Sequence, residues 1–382
     1  MNLWTRIDWW IVLLAAALAA VGLLFIHSAT AGTDEEAMLP RQAAFLAAGA
    51  LAAAIVVAIP YVRFLRGARW LYVAAIGGLI AVLLFGNVIN GARRWIRVPG
   101  VGIALQPSEF AKLAVVLALA AWFRFRDRAR IFDGVIVPLT ITAVPALLVF
   151  REPDLSSSLV FWPILLGICY AAGVPGRSLG GMVLGGLGLL CLAWFTVLHD
   201  YQRGRVSVWF QHFFWDRDAV VNDPSVREVL LSQGYQPWQS LIAIGSGHVT
   251  GFGYQDGPQN RFDFLPYRAG DYIFAVIAEE TGWVGGTLLI VALLVLVLAL
   301  LGLALRTRER FGRLLVVGIA VWIGTQSFVH IAVCAWLVPA TGLPLPLVSQ
   351  GGSSTIAALV GLGLCLNVGA RREPVLAADG FS

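Results

Sequence analysis

Charge is scarce in this sequence. Asp, Glu, Lys and Arg make up 13% of its 382 residues, while 59% are apolar. A soluble protein carries about 25% charged residues, so the shortage excludes a solvated globule. Lysine is nearly absent, with Lys112 alone. Its neighbours do not form the glycine-rich loop ending in Gly-Lys-Ser/Thr that cradles nucleotide phosphates, and no zinc-protease His-Glu-x-x-His occurs. A reaction catalysed here therefore needs no nucleotide cofactor and draws its energy from the substrate. Cysteine is limited to Cys169, Cys191, Cys334 and Cys365, all inside apolar runs. They offer no disulfide framework or metal-ligand spacing and read as small core residues. Internal repeats, low-complexity tracts and the alternating pattern of a membrane barrel are also missing.

What remains is a series of apolar runs, each about 18 residues or longer and able to cross a bilayer as a helix. The pattern predicts an all-α polytopic membrane protein with about ten transmembrane helices. The expected spans are 9–28, 42–60, 69–86, 106–123, 132–150, 155–173, 178–198, 271–305, 314–338 and 352–369. Ala29-Thr30-Ala31 resembles a signal cleavage site, but the preceding apolar core is too long for one and reads as a retained helix. The net charge of +5 comes from arginines clustered between spans, which is no nucleic-acid signal. Arg63, Arg66 and Arg69, then Arg124, Arg126, Arg128 and Arg130, then Arg306, Arg308, Arg310 and Arg313, then Arg371 and Arg372, all fall on one side of a ten-helix layout. The positive-inside rule makes that side cytoplasmic, with both termini. Residues 29–41, 87–105, 151–154, 199–270 and 339–351 then lie outside. The chain divides into helices one to seven (1–198), a large extracytoplasmic loop (199–270), and helices eight to ten with a short tail (271–382), all one membrane domain.

The long loop is the connection most apt to carry function. Its apolar run 241–244 reads as a short interfacial helix. The segment 271–305 exceeds one straight crossing, and Gly282, Gly285 and Gly286 are candidate breaks. Asp271 to Glu280 then forms a separate half-buried helix near the outer surface. Gly181 and Gly185, with Gly180, Gly186 and Gly188, predict close helix packing in span seven.

Ionisable groups at the ends of membrane spans are costly and mark candidate sites. Glu109 and Lys112, three apart in Gln106-Pro107-Ser108-Glu109-Phe110-Ala111-Lys112, can pair on one helix face. They read as a functional pair or as an ion pair joining helices. Arg93 and Arg94, on an outer loop against the charge bias, suit a phosphate or carboxylate; for Arg93 and Arg97, contact with lipid headgroups is an equal reading. Arg41 is a similar, weaker case. Asp154, in Glu152-Pro153-Asp154, either caps the sixth helix or binds a metal or substrate. Asp271 is either a cap or an exposed reactive carboxylate. Glu279, ~12 Å along a helix from it, is out of reach and reads with Glu280 as a buried helix-to-helix contact. These features fit a transporter or a lipid-handling enzyme with a polar cavity that opens outward.

Four stretches together resemble one family almost from end to end and in order. They are Gln106 to Lys112; Gln239-Ser240-Leu241-Ile242-Ala243-Ile244-Gly245-Ser246-Gly247; Asp271-Tyr272-Ile273-Phe274-Ala275-Val276; and Leu343-Pro344-Leu345-Pro346-Leu347-Val348-Ser349 with Gly351-Gly352-Ser353. The chain is thereby identified as a member of the SEDS family (shape, elongation, division and sporulation) of bacterial cell-wall proteins. Asp200-Tyr201-Gln202 and Pro153-Asp154-Leu155 are closer to its elongation branch, RodA, than to its division branch, FtsW. The resemblance implies a peptidoglycan glycosyltransferase of the bacterial cytoplasmic membrane. It polymerises lipid II outside the membrane with release of undecaprenyl pyrophosphate, beside a class B penicillin-binding protein. Asp271 corresponds to the family's essential aspartate, the general base. Lys112, Arg94 and Arg41 stabilise the pyrophosphate, and Glu109 orients Lys112 or faces the sugar. Ser108, Asp154, Gln239, Ser240 and Ser349 fall among substrate contacts. The resemblance also implies that a divalent cation, Mg or Mn, helps stabilise the pyrophosphate through Asp154 or Asp271. The sequence departs from the family at Pro266-Tyr267-Arg268-Ala269-Gly270, where Pro-Glu and His-Thr are usual. It also departs at Gln350, in place of tyrosine, and at His330, in place of asparagine. Lost acidity beside the base weighs against metal binding there. Two alternatives remain: a lipid II flippase, and a scaffold for a penicillin-binding protein that has lost catalysis.

Overall fold

A computed structural model describes residues 3–89, 92–97, 104–126, 132–196, 200–215, 220 and 222–371. Three helices open the chain: α1 (Trp9–Thr30), α2 (Met38–Ala58) and α3 (Tyr61–Phe85). A small antiparallel sheet follows, with β1 (Asn87–Ile89), β2 (Ala92–Arg97) and β3 (Ala104–Leu105) in that order. Then come α4 (Pro107–Phe123), a π-helical turn (Phe132–Ile136) leading into α5 (Val137–Arg151), α6 (Leu155–Ala171) and α7 (Gly176–Thr196). The long loop carries α8 (Asp200–His212), α9 (Pro224–Leu231), α10 (Tyr235–Ser246) and α11 (Pro258–Arg261). The chain ends with α12 (Ile273–Arg306), α13 (Arg310–Cys334) and α14 (Gly352–Ala370). Arg128, Arg130, His199 and Arg372 lie outside the described residues.

The protein is an all-α polytopic membrane protein. Each expected span coincides with a helix, and eight are long and apolar enough to cross a membrane. The exceptions, α4 and α6, have 17 residues each. Both sit inside the bundle: α4 packs on α3, α6 and α13, and α6 on α5 and α13. Burial of α4 on nearly all faces explains how a helix bearing Glu109 and Lys112 avoids lipid. The most extensive packing joins α2 to α14.

Helix α12 breaks where the sequence suggested, at Gly282, whose φ of 67° and ψ of −166° leave the helical region. A Cβ there would collide with the backbone of Val249 and Gly251, so this position requires glycine. The 248–253 segment fills the break. Trp283 N and Val284 N donate to the carbonyls of His248 (2.9 Å) and Val249 (3.2 Å). Phe252 N and Gly253 N donate to the carbonyls of Glu279 (3.1 Å) and Glu280 (3.0 Å). The backbone groups freed by the kink are thus paired again. The piece before the kink is fully rather than half buried, from Ile273 to Glu280.

Three expectations are corrected. Around the glycines of α7, a Cβ at Gly180, Gly181, Gly185 or Gly188 would meet nothing within 4 Å; only Gly186 packs closely, against Trp162. Helix α7 rests on α6 alone among the stronger contacts, so Cys191 is exposed rather than core. The 241–244 run is not a separate interfacial helix. It lies within α10, which packs on α12.

Candidate active site

Asp271 sits in a turn at the head of α12, with its N–H on the carbonyl of Tyr267 (3.0 Å). Tyr272, not Asp271, is the N-cap, and no side chain caps this helix. The capping role is therefore excluded for Asp271. The turn is strapped by the segment before α14. Ser349 Oγ donates to Gly270 O (2.6 Å) and accepts from Leu345 N (2.8 Å). Gln350 N donates to Ala269 O (2.9 Å). Gln42 in turn holds the strap: its Nε2 donates to Ser349 O (3.3 Å) and its Oε1 accepts from Gly351 N (3.1 Å). Gly342, at φ +72°, faces the carboxylate, and a methyl added there would stand 3.2 Å from Oδ2. The Asp271 carboxylate is half-buried, and no described residue donates a hydrogen bond to it. Burial raises its pKa to about 6; Arg205 lowers it, Asp154 raises it and Arg94 lowers it.

Arg94 extends from β2 over the turn between α5 and α6. Its Nε donates to Glu152 O (3.2 Å), one terminal nitrogen donates to Pro153 O, and the other lies 3.9 Å from Asp154 Oδ1. Asp154 is the N-cap of α6, accepting from Ser157 N (3.1 Å), Ser157 Oγ (2.8 Å) and Gln106 Nε2 (3.2 Å). Its structural reading thus holds. Glu152 is fully buried, and neither carboxylate oxygen has a hydrogen-bond partner among the described residues. Burial, reinforced by Asp154 and opposed by Arg94, pushes its pKa up to about 8.

Lys112 and Glu109 form the expected pair, Nζ to Oε1 at 2.7 Å, and both are buried. Lys112 also donates to Gln326 Oε1 (2.9 Å) on α13 and lies over the Trp322 ring. Gln326 Nε2 continues to Pro344 O (2.9 Å), in the strap below Asp271. Lys112 is enclosed here, with its hydrogen bonds made to protein groups. The same holds for Ser240, whose hydroxyl donates to Cys334 O (2.8 Å), and for Ser349. Ser108 is buried with an unpartnered hydroxyl, Gln239 is half-buried and Arg41 is exposed.

The departures from the family pattern are built into the strap and loop. His330 Nδ1 reaches Leu343 O at 2.7 Å. Arg268 Nε donates to Ala29 O (2.7 Å) and its guanidinium pairs with Asp263. Sequence reading missed Arg205, Gln42 and Gln326, which only the fold brings to this site. For a divalent cation, Asp154 does not fit, because its oxygens already serve Ser157, Gln106 and Arg94. Among the described residues no group of three His, Cys, Asp or Glu could hold a metal. Of the two carboxylates expected to hold the cation, Asp271 is the one whose oxygens accept no hydrogen bond from a described residue.

The family model described as cell cycle protein, FtsW/RodA/SpoVE, matches residues 8–373. The peptidoglycan glycosyltransferase MrdB of Escherichia coli K12 is 33% identical over 368 residues, covering 96% of this chain and 95% of that protein. A probable peptidoglycan glycosyltransferase FtsW of Geobacter metallireducens is 32% identical, covering 96% of each. Among solved structures, a chain of a peptidoglycan synthase complex that coordinates polymerization and crosslinking aligns with a TM-score of 0.79 at 32% identity, covering 96% of this chain and 99% of that one. The rod shape determining protein RodA of Thermus thermophilus aligns with a TM-score of 0.71 at 30% identity, covering 97% of this chain and 99% of that one.

Proposed function

The chain belongs to the FtsW/RodA/SpoVE family of cell cycle proteins, and on that premise we propose that it is a peptidoglycan glycosyltransferase polymerising lipid II on the outer face of the bacterial cytoplasmic membrane. The observation that carries this reading is the Asp271 carboxylate, fixed by the strap, open, and set among the charges of Arg205, Arg94 and Asp154. A pKa raised toward neutrality by burial suits a general base.

In the reaction, the acceptor hydroxyl oxygen forms a bond to the anomeric carbon of the donor chain. The bond from that carbon to the pyrophosphate oxygen breaks, and the hydroxyl proton passes to Asp271. Undecaprenyl pyrophosphate departs with the bonding electrons. Arg205 and Arg94 supply positive charge for the leaving group, and exposed Arg41 adds to the entry field. Asp271 is the residue that would hold a divalent cation, which would supply positive charge for the leaving group. Lys112 and Glu109 set the strap rather than touch substrate. The eight long apolar helices cross the membrane with α4 and α6 enclosed among them, and a class B penicillin-binding protein is the transpeptidase partner.

The test is purified protein with lipid II and Mg or Mn, and glycan products separated on a gel. Strands of increasing length support the reading. Lipid II translocation without polymer would make the protein a transporter, and neither activity would leave a scaffold.

A further inference from the structure

We infer that the cavity of about 360 Å³ between α8 and α10 is a saccharide subsite, which seats the N-acetylated sugar whose hydroxyl is delivered to Asp271. The inference rests on the glycosyltransferase reading and names the place where its acceptor binds. The volume lies within the range of small-molecule pockets.

The lining decides the ligand class. Tyr201, Tyr235, Gln233, Gln236 and Arg205 supply most of the functional groups. A sugar ring has apolar C–H faces and a rim of hydroxyl and acetamido groups. Phenol rings match the faces, and primary amides both donate to and accept from the rim. Among the described residues no carboxylate lines the cavity, so none of them offers a cation a charged ligand there. One arginine is too few for a pyrophosphate, which is bound elsewhere by converging cations.

The position decides the role. Arg205 donates to Ala340 O at 3.3 Å, and Ala340 lines the cavity. Two residues on, Gly342 faces the Asp271 carboxylate, where an added methyl would stand 3.2 Å from Oδ2. The 340–342 segment is thus shared by cavity and base, and the charge of Arg205 acts on both.

The seat is also built rather than incidental. Gln233 lies directly against the α-carbon of Gly204 on α8, where any side chain would overlap its amide. One turn along, a Cβ on Gly234 would stand 3.4 Å from Val208. Glycine at 204 therefore leaves the space in which the Gln233 amide rests against α8.

The experiment uses the full chain in nanodiscs, with N,N′-diacetylchitobiose as the probe and saturation-transfer NMR as the readout. Transfer to the acetyl methyl protons is expected for wild type and for Asp271→Asn, and its loss for Gln233→Ala and Gly204→Leu. Gln236→Ala, a milder surface change, guards against misfolding of Gly204→Leu. With lipid II, Gln233→Ala and Gln236→Ala should raise KM by roughly 3–10-fold, the worth of one or two hydrogen bonds, and leave kcat within about twofold. Absent transfer in wild type, or transfer that survives all three variants, overturns the inference. So does loss of a co-purifying penicillin-binding protein with saccharide binding unchanged, which would make the cavity a protein contact. Transfer that the variants abolish in a protein making no polymer would keep the saccharide site and defeat the glycosyltransferase reading instead.

Discussion

Lys112→Met separates a positioning lysine from one that contacts substrate. In the structure Lys112 is fully buried and bound to Glu109 and Gln326, at 2.7 and 2.9 Å. Methionine keeps the length and apolar stem but removes the ammonium. Glu109 is then left as a buried carboxylate without its counter-charge, and breaking such a pair costs ~3–5 kcal/mol. At ~2 °C per kcal/mol, the low end for large domains, thermal unfolding in detergent should fall by roughly 6–10 °C. Polymerisation should fall with it, because the Lys112–Gln326–Pro344 chain holds the strap beneath Asp271. The double variant Glu109→Gln/Lys112→Met removes both charges, and neutral replacement of a buried pair is often close to neutral for stability. It should therefore recover most of the lost unfolding temperature and part of the activity. Lys112→Arg should rescue poorly, since a planar guanidinium does not fit a site closed around an ammonium. The assays are scanning fluorimetry and lipid II polymer on a gel. Lys112→Met with an unchanged unfolding temperature and no polymer would refute the reasoning and return Lys112 to the substrate.

Asp271→Asn should lower glycan synthesis by ~10²–10⁴ while the unfolding temperature is unchanged or raised, because Tyr272 rather than Asp271 occupies the cap position and the buried charged carboxylate costs folding free energy above its ordinary pKa; substantial polymer from this variant would remove the base assignment. The rate should climb about tenfold per pH unit below pH 6 and level off above it, following ionisation of Asp271. Its folded pKa exceeds the ordinary value, so this group adds stability at low pH and loses it between about 4 and 6; slowing at pH 5 with the fold intact is the expected signature, and a flat profile from 5 to 7 contradicts it. Glu152→Gln should leave stability unchanged or raise it at pH 7, because a carboxyl with a folded pKa of about 8 costs folding free energy at every pH above its unfolded value; chemical denaturation at pH 5 and 7 measures this, and strong destabilisation would mean that the ionised form is required. Single cysteines in 93–97 and 199–270 should react with an impermeant reagent in intact cells and those in 124–131 should not; the reverse pattern defeats the proposed orientation.

Hydrophobicity and charge placement made the membrane class and the helix positions legible in one dimension. A run of about 18 apolar residues has no alternative to a helix in lipid. The break at Gly282 and the Glu109–Lys112 pair were legible for the same reason: both are local, set by φ and by i, i+3 spacing. What each polar group faces is not local. Asp154 and Asp271 both precede a helix, yet one is consumed as a cap and the other stands open, and only packing against Ser157, Gln106 and the Gly342 strap distinguishes them. Ser240 and Ser349 lie in motif positions but hold neighbouring carbonyls. The open glycine face of α7 shows that small residues permit close packing without requiring it. Arg205 carried no signal in the sequence, because its nearness to Asp271 exists only once the long loop folds back over residues 340–342. The sequence by itself determined the helices and where charge is allowed. The tertiary structure decided which of those charges is enclosed and which meets substrate, since burial depends on neighbours far away in the chain.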